Sequence, residues 1–290
     1  MINMRCIMDI TLIKKLREET GSGIVETKKA LELHHGDYES AKAHLLKNLK
    51  KETGNLRVAS KGLTHLVIKE NEAILYEVNA ETDFVNKNEH FNKMIKDIGD
   101  ALITSKASHV KEALKVKLGD QTIEEKILHT SAIIKENAYL RRFYRILKHD
   151  SQAFGFYQHL QGKISTLVIL DKDLGDFNNK LAMHIAASEP KYLSFSQIDT
   201  HTMDYETFMY EKNHGQVSVH DFNKYLESVT LDTQYHVLDP SVRIGELLHQ
   251  NHAKVIDFFR FEVGQGIDNK LNCRLDIPCD GSKITVTPIY

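Results

Sequence analysis

The chain has 290 residues, with 38 Lys and Arg against 40 Asp and Glu for a net charge of −2. That length suits two or three compact units rather than one small core, and the balanced charge supplies no overall positive field to recruit nucleic acid, which leaves a protein as the expected partner. Cys6, Cys273 and Cys279 match neither a zinc ligand set nor a redox pair and fit a reducing, cytoplasmic setting, while no apolar run is long enough for a signal peptide or a bilayer span, so no membrane is expected.

Leu12, Ile13 and Leu16 mark a short amphipathic helix that stops at Thr20-Gly21, because glycine tolerates the left-handed conformation that ends a helix. Ile24, Ala30 and Leu31 give a second helix ending near His34-His35-Gly36, and Asp37 caps a third that bears Tyr38, Ala41, Leu45, Leu46 and Leu49. Residues 9–50 thus form a minimal three-helix bundle, marginal alone by size. Ile24 and Val25 belong either to that bundle's own core or to a surface it offers a partner. Residues 51–62 read as a linker, overlapping a basic, polar stretch (47–57) that has Thr53-Gly54-Asn55 at its centre and lacks the interleaved aromatics of a nucleic-acid platform.

From Leu63 the period changes. Leu66, Val67 and Ile68 form one strand, Asn71-Glu72 a tight turn, and Ile74, Leu75, Tyr76 and Val78 a second strand. A polar loop (79–88) follows, with Thr82-Asp83-Phe84-Val85 inside it, and then a helical pattern with Phe91, Met94, Ile95, Ile98 and Leu102 on one face. With regular elements at both ends, the loop either presents its tip or tucks Phe84 and Val85 beneath itself as a staple. Glu81 and Asn86 flank the tip and are expected to carry no role. A helix over 110–118 comes next, then Thr122 and Glu125 as a capping box opening a helix through Ile127, Leu128, Ile133 and Ile134, and a strand over 139–147.

The same order returns. Residues 154–160 and 164–170 read as a hairpin about Gln161-Gly162, followed by a helix with Phe177, Leu181, His184, Ile185 and Ser188 on one side, ended before Pro190. Residues 197–229 hold two helical runs with few apolar positions, broken at His214-Gly215, which suggests a projecting helical hairpin. Asp239-Pro240-Ser241 is expected as a turn and helix cap, Ile244, Leu247, Leu248 and Asn251 as a helix, and the alternating residues 255–263 as a final, mostly buried strand. A hairpin followed by a helix, occurring twice, implies an α+β chain with two related subdomains, residues 63–148 and 149–266, each an antiparallel sheet covered by helices.

Enzyme signatures are missing: there is no phosphate-cradling Gly-rich loop before Lys and a hydroxyl residue, no Gly-x-Ser-x-Gly, and no His-Glu-x-x-His. Sixteen histidines are scattered without ligand spacing. No cofactor, metal or catalytic residue is expected. His159, at the end of Phe156-Tyr157-Gln158-His159, is either a strand-end polar group satisfied by its own hairpin or a contact residue.

Five ordered segments carry a family resemblance: Leu16-Arg17-Glu18-Glu19-Thr20-Gly21-Ser22-Gly23 with Lys28-Lys29-Ala30-Leu31; Thr82-Asp83-Phe84-Val85 after Glu77-Val78-Asn79; Glu136-Asn137 with Arg141-Arg142; His184-Ile185-Ala186-Ala187-Ser188-Glu189-Pro190; and Arg260-Phe261-Glu262-Val263-Gly264. In this order they resemble the elongation factor Ts family, nucleotide exchange factors for elongation factor Tu, over residues 9–267. The resemblance implies that 9–50 is a ubiquitin-associated-like domain, that 197–229 is an inserted coiled-coil hairpin, and that 1–8 and 267–290 are extensions, with no role assigned to the second. It implies a partner, elongation factor Tu, bound in its GDP-loaded and nucleotide-free forms, and is compatible with a homodimer or a two-plus-two complex. Thr82, Asp83, Phe84 and Val85 would form the loop that dislocates magnesium in the partner. Ile24, Val25 and Glu26, where family members commonly carry Met-Met-Asp, and His159 would be partner contacts.

Two other classes compete. A pure adaptor using the N-terminal bundle predicts binding without an effect on nucleotide dissociation, and a His- and Asp-dependent metallohydrolase predicts bound metal and inhibition by chelators.

Overall fold

The structure, a computed structural model, describes residues 10–52, 59–215 and 218–267. The expected N-terminal extension, the centre of the expected linker and all but the first residue of the expected C-terminal extension lie outside the described residues. The chain is α+β and divides into two compact units, one holding the residues up to 69, 73–145 and those from 263 onward, the other 70–72 and 146–262.

The first unit opens with α1 (Ile10–Thr20), α2 (Ile24–Leu33) and α3 (Tyr38–Glu52). Asp37 caps α3 by accepting from the Ser40 N–H at 2.8 Å, as expected of Asp before an apolar-periodic run. Leu16, Ala30, Leu31, Ala41 and Leu45 close the bundle core. Next come β1 (Lys61–Lys69) and β2 (Glu72–Ala80), joined at Glu70-Asn71, one residue earlier than expected. Further along are α4 (Glu89–Thr104), α5 (Val110–Ala113), β3 (Lys117–Leu118), β4 (Gln121–Thr122), α6 (Ile123–Ile134) and β5 (Ala138–Leu147). The sheet order is β1-β2-β5.

All five apolar positions expected on α4 are buried, and they join Ile74, Tyr76 and Val78 of β2 in the main core. Each such side chain contributes about 1.5–3 kcal/mol by leaving water. Tyr76 keeps its hydroxyl satisfied in that core by donating to the Ile95 carbonyl at 2.5 Å. The capping box of α6 forms as the sequence implies, with Thr122 Oγ1 accepting from Glu125 N at 3.2 Å and Glu125 Oε2 accepting from Thr122 N at 2.7 Å. The helix expected over 110–118 is cut to one turn. Lys117 and Leu118 pair instead with Thr122 and Gln121 in a small hairpin, closed by a two-residue turn at Gly119-Asp120 in which Gly119 adopts φ +65, a local signal that the spacing of apolar residues does not carry.

The second unit holds β6 (Ala153–His159), β7 (Ile164–Leu170), α7 (Asp176–Ser188), α8 (Thr200–His214), α9 (Val219–Val229), β8 (Tyr235–His236), β9 (Asp239–Arg243), α10 (Ile244–Gln250) and β10 (Val255–Glu262). β7 lies between β10 and β6, antiparallel to both. Val168 and Leu170 pack under Leu181, Ala182 and Ile185 of α7, with Leu231, Ile244 and Leu248 closing the cluster. The final strand is therefore an edge strand and mostly half-buried, with Phe261 fully inside, which corrects the expectation of a mostly buried one. Asp239-Pro240-Ser241 is not a helix cap but the start of β9, and Arg243 precedes α10. Pro240 is tolerated there because a strand this short leaves an edge free of ladder bonds.

The helices α8 and α9 pair through Tyr210, whose ring stacks on Tyr225 at 4.5 Å and lies 5.8 Å from Phe222. Their base is fixed by Glu206, a buried carboxylate that accepts from the Tyr192 hydroxyl at 2.8 Å, from Lys191 Nζ at 2.9 and 3.0 Å, and from the Tyr225 hydroxyl. Burial pushes the Glu206 carboxyl up, but the donors from Tyr225, Lys191 and Tyr192 more than offset it and hold it below the usual carboxylate range.

Candidate partner-binding site

The loop between β2 and α4 begins where β2 ends in the core and closes in a single 3-10 turn, Asp83–Lys87. Val85 is 3 % exposed and belongs to the main core, whereas the adjacent Phe84 is 80 % exposed. The two hydrophobic residues therefore part company. Val85 anchors the turn from below and Phe84 is presented to solvent, so the staple alternative fails for the ring. Asp83 is exposed beside it.

Both shoulders of the turn are tied down. On the far side, Asn88 caps α4 by accepting from His90 N at 2.9 Å and Phe91 N at 3.3 Å. Asn92 Nδ2 donates to the carbonyls of Asn86 and Asn88 at 2.9 and 3.0 Å. On the near side, Glu136 accepts from Thr82 N at 2.8 Å and from Thr82 Oγ1 at 2.6 Å. Asn137 answers by donating from N and Nδ2 to Glu81 Oε1 at 3.2 and 2.6 Å. Glu81, expected to carry no role, is thus half of a reciprocal clamp. Its partner lies 56 residues away, so no local pattern could reveal it; the one signal was the recurrence of Glu136-Asn137 among the motif segments.

A second missed residue is Glu77, on β2 just upstream. Its carboxylate is fully buried and accepts from Arg141 Nη1 at 3.0 and 3.1 Å, from Arg142 Nε at 2.6 Å and from the Gly264 N–H at 2.8 Å. Arg141 also donates to the Gln265 carbonyl at 2.6 Å. Gly264 adopts φ +77, and a Cβ there would sit 2.3 Å from the Ser60 carbonyl oxygen, so only glycine lets this backbone reach the carboxylate. Three of the five motif segments meet at this one buried charge.

The other expected contact residues lie elsewhere. Ile24 and Val25 are 56 % and 65 % exposed at the start of α2; the bundle closes its core without them. Glu26 is exposed and uses Oε2 to accept from the Gly23 N–H at 3.1 Å, completing a capping box. His159 is exposed at the end of β6, in the second unit, with Nδ1 3.2 Å from the Tyr157 hydroxyl. Among the described residues no group of three or more His, Cys, Asp or Glu is arranged to hold a metal ion, and no helix is long and apolar enough to cross a membrane.

Residues 81–265 match the family model described as Elongation factor TS. The elongation factor Ts of Acholeplasma laidlawii (strain PG-8A) is 37 % identical over 278 residues, covering 90 % of this chain and 94 % of the relative. That of Pediococcus pentosaceus is 34 % identical over 271 residues, covering 89 % and 93 %, and that of the Aster yellows witches'-broom phytoplasma 32 % identical over 267 residues, covering 87 % and 97 %. Matches of this extent and identity settle the lineage: the chain belongs to the elongation factor Ts family.

Proposed function

We propose that this protein is a guanine-nucleotide exchange factor that binds elongation factor Tu and promotes GDP release without covalent chemistry of its own. The observation that carries this reading is the Phe84 ring, 80 % exposed on a turn fixed at both shoulders. A lone phenyl held in water on a rigid mount is a poor design for the isolated protein and a good one for insertion into another.

The mechanism follows from linkage. Tu holds GDP through a phosphate loop and a magnesium ion that balances much of the phosphate charge. Magnesium demands a near-octahedral shell, so a small displacement of a neighbouring loop weakens its site sharply. Phe84 wedges between helices of the Tu nucleotide domain and Asp83 perturbs polar contacts near the metal, while Thr82 and Val85 fix the turn. A factor that binds better to the Tu conformation with a spoiled metal site loosens nucleotide by the same factor by which nucleotide loosens it.

Ile24, Val25, Glu26 and His159 add contacts to the GDP-bound and nucleotide-free partner. Residues 9–50 serve as a ubiquitin-associated-like docking module, 63–148 and 149–266 as related core subdomains, and 197–229 as a projecting hairpin. The factor works in the cytoplasm, with neither nucleic acid nor membrane as a direct partner, as a homodimer or in a two-plus-two complex with Tu, which light scattering would distinguish.

The test is release of labelled GDP from Tu with and without this protein. A buried aromatic anchor is worth about 2 kcal/mol or more, so Phe84→Ala is expected to slow catalysed release at least ~10-fold. Tight binding with no acceleration of release by the unmodified protein would favour the adaptor instead.

A further inference from the structure

An exposed phenyl gains free energy by folding back onto its own surface, so presenting it requires something that opposes collapse. Val85 supplies one restraint from the core. The other is the reciprocal clamp, and its geometry is specific. Glu136 takes both the N–H and the hydroxyl of Thr82, one on each carboxylate oxygen, while Glu81 takes both the N–H and the side-chain amide of Asn137 on a single oxygen. Each side gives two hydrogen bonds and receives two, so both the lateral position and the rotation of the loop shoulder are determined.

The clamp's own mount is stiff. Lys135 ends α6 in the left-handed region, at φ +59, and Ala138, the first residue of β5, donates its N–H to Ser131 Oγ at 3.1 Å. Glu136 and Asn137 are thereby held between a helix end and a strand start.

We propose that Glu136 and Asn137 are positioning residues for the exchange reaction: through Thr82 and Glu81 they hold Phe84 outward in the orientation in which it enters the partner. This rests on the function proposed above for Phe84, but its first test does not. The chain contains no Trp, so Phe84→Trp places a single indole at the tip of the loop. That indole is expected to emit as a solvent-exposed fluorophore with the high anisotropy of a fixed side chain. Adding Glu136→Gln or Asn137→Ala is expected to lower the anisotropy or shift emission to the blue as the ring moves or collapses, with the melting temperature nearly unchanged. Unaltered emission and anisotropy would overturn the inference whatever Phe84 does.

The second test is a double-mutant cycle on the full chain with GDP-loaded Tu. Glu136→Gln is expected to slow release about fivefold at saturating factor, and to have no further effect once Phe84 is Ala. A Glu136→Gln variant as fast as the unmodified protein, or single effects that multiply in the double variant, would refute action through Phe84. If Phe84→Ala alone released GDP at the unmodified rate, the function assigned to the loop would fall, and the fluorescence result would still decide whether the clamp sets the ring.

Discussion

The Cβ that Gly155 lacks would lie 2.1 Å from the carbonyl oxygen of Asn178. This places α7 directly on the backbone of β6, closer than any side chain at 155 permits, and the Asn179 side chain uses the same proximity to accept from the Phe156 N–H at 3.0 Å. Gly155→Ala must lift the helix from the strand. The expected cost is about 1–3 kcal/mol, the usual range for overpacking, read as a lower urea midpoint. A midpoint equal to that of the unmodified protein would contradict the close approach.

Glu77 predicts a larger effect. Removing the buried carboxylate takes away the negative charge that both guanidiniums and the Gly264 amide bond to, and breaking a buried ion pair from one side typically costs about 3–5 kcal/mol. Arg141 and Arg142 keep roughly a quarter of their side chains in water (21 % and 26 % exposed), so Glu77→Ala should fall near the low end of that range. Arg142→Ala should cost less, because Arg141 still neutralises Glu77. Equal losses from the two substitutions, measured by chemical unfolding, would contradict this division of the load.

A pH dependence follows from His184 and His236, whose rings stack at 5.9 Å, with Phe177 beyond His236 at 6.3 Å. Burial pushes both imidazoles below the ordinary value of 6.5; a hydrogen bond to Gln234 partly opposes this at His184, and the charge of Asp239 does so at His236. Protons therefore bind the unfolded chain first. The stability these histidines contribute is full above about 6.5 and is lost as the pH falls below that value toward the depressed folded pKa values. Unfolding free energy should drop on acidification from pH 7 to pH 5, and His236→Phe should flatten the drop. A slope unchanged by that substitution would assign the acid sensitivity to other groups.

Ile24 and Val25 predict a separation of binding from rate. Both are exposed and outside the bundle core, so Ile24→Ser with Val25→Ser should leave the unfolding free energy within about 0.5 kcal/mol per substitution. The same pair should weaken affinity for Tu while the release rate at saturation stays unchanged, the signature of uniform binding lost. His159→Ala is tested in the same titration, and an unaltered affinity would return it to a hairpin role with Tyr157.

Much of this could be foreseen along the chain wherever structure is local. The face of α4, the Thr122 to Glu125 box and the break at His214-Gly215 are written in spacings of three or four residues, and they appear where the spacing puts them. What stayed hidden was long-range and polar. Glu77 sits between Tyr76 and Val78 in an alternating strand, where a carboxylate is normally read as facing water; its partners are 64, 65 and 187 residues away. Glu81 was passed over for the same reason. The edge position of β10 also depends on which strand takes the centre of the sheet, a choice that alternation within one strand does not encode.

The two three-stranded sheets share one plan, in which a hairpin is completed by a third strand that joins beside its second member after a long excursion. In the second unit that excursion contains α8 and α9. Because the entropic penalty for closing a loop grows only logarithmically, with each doubling adding about 0.6 kcal/mol, the excursion is free to gain or lose whole helical turns between relatives while β10 still finds β7. The length of the α8 and α9 insertion can thus change without disturbing the sheet it interrupts.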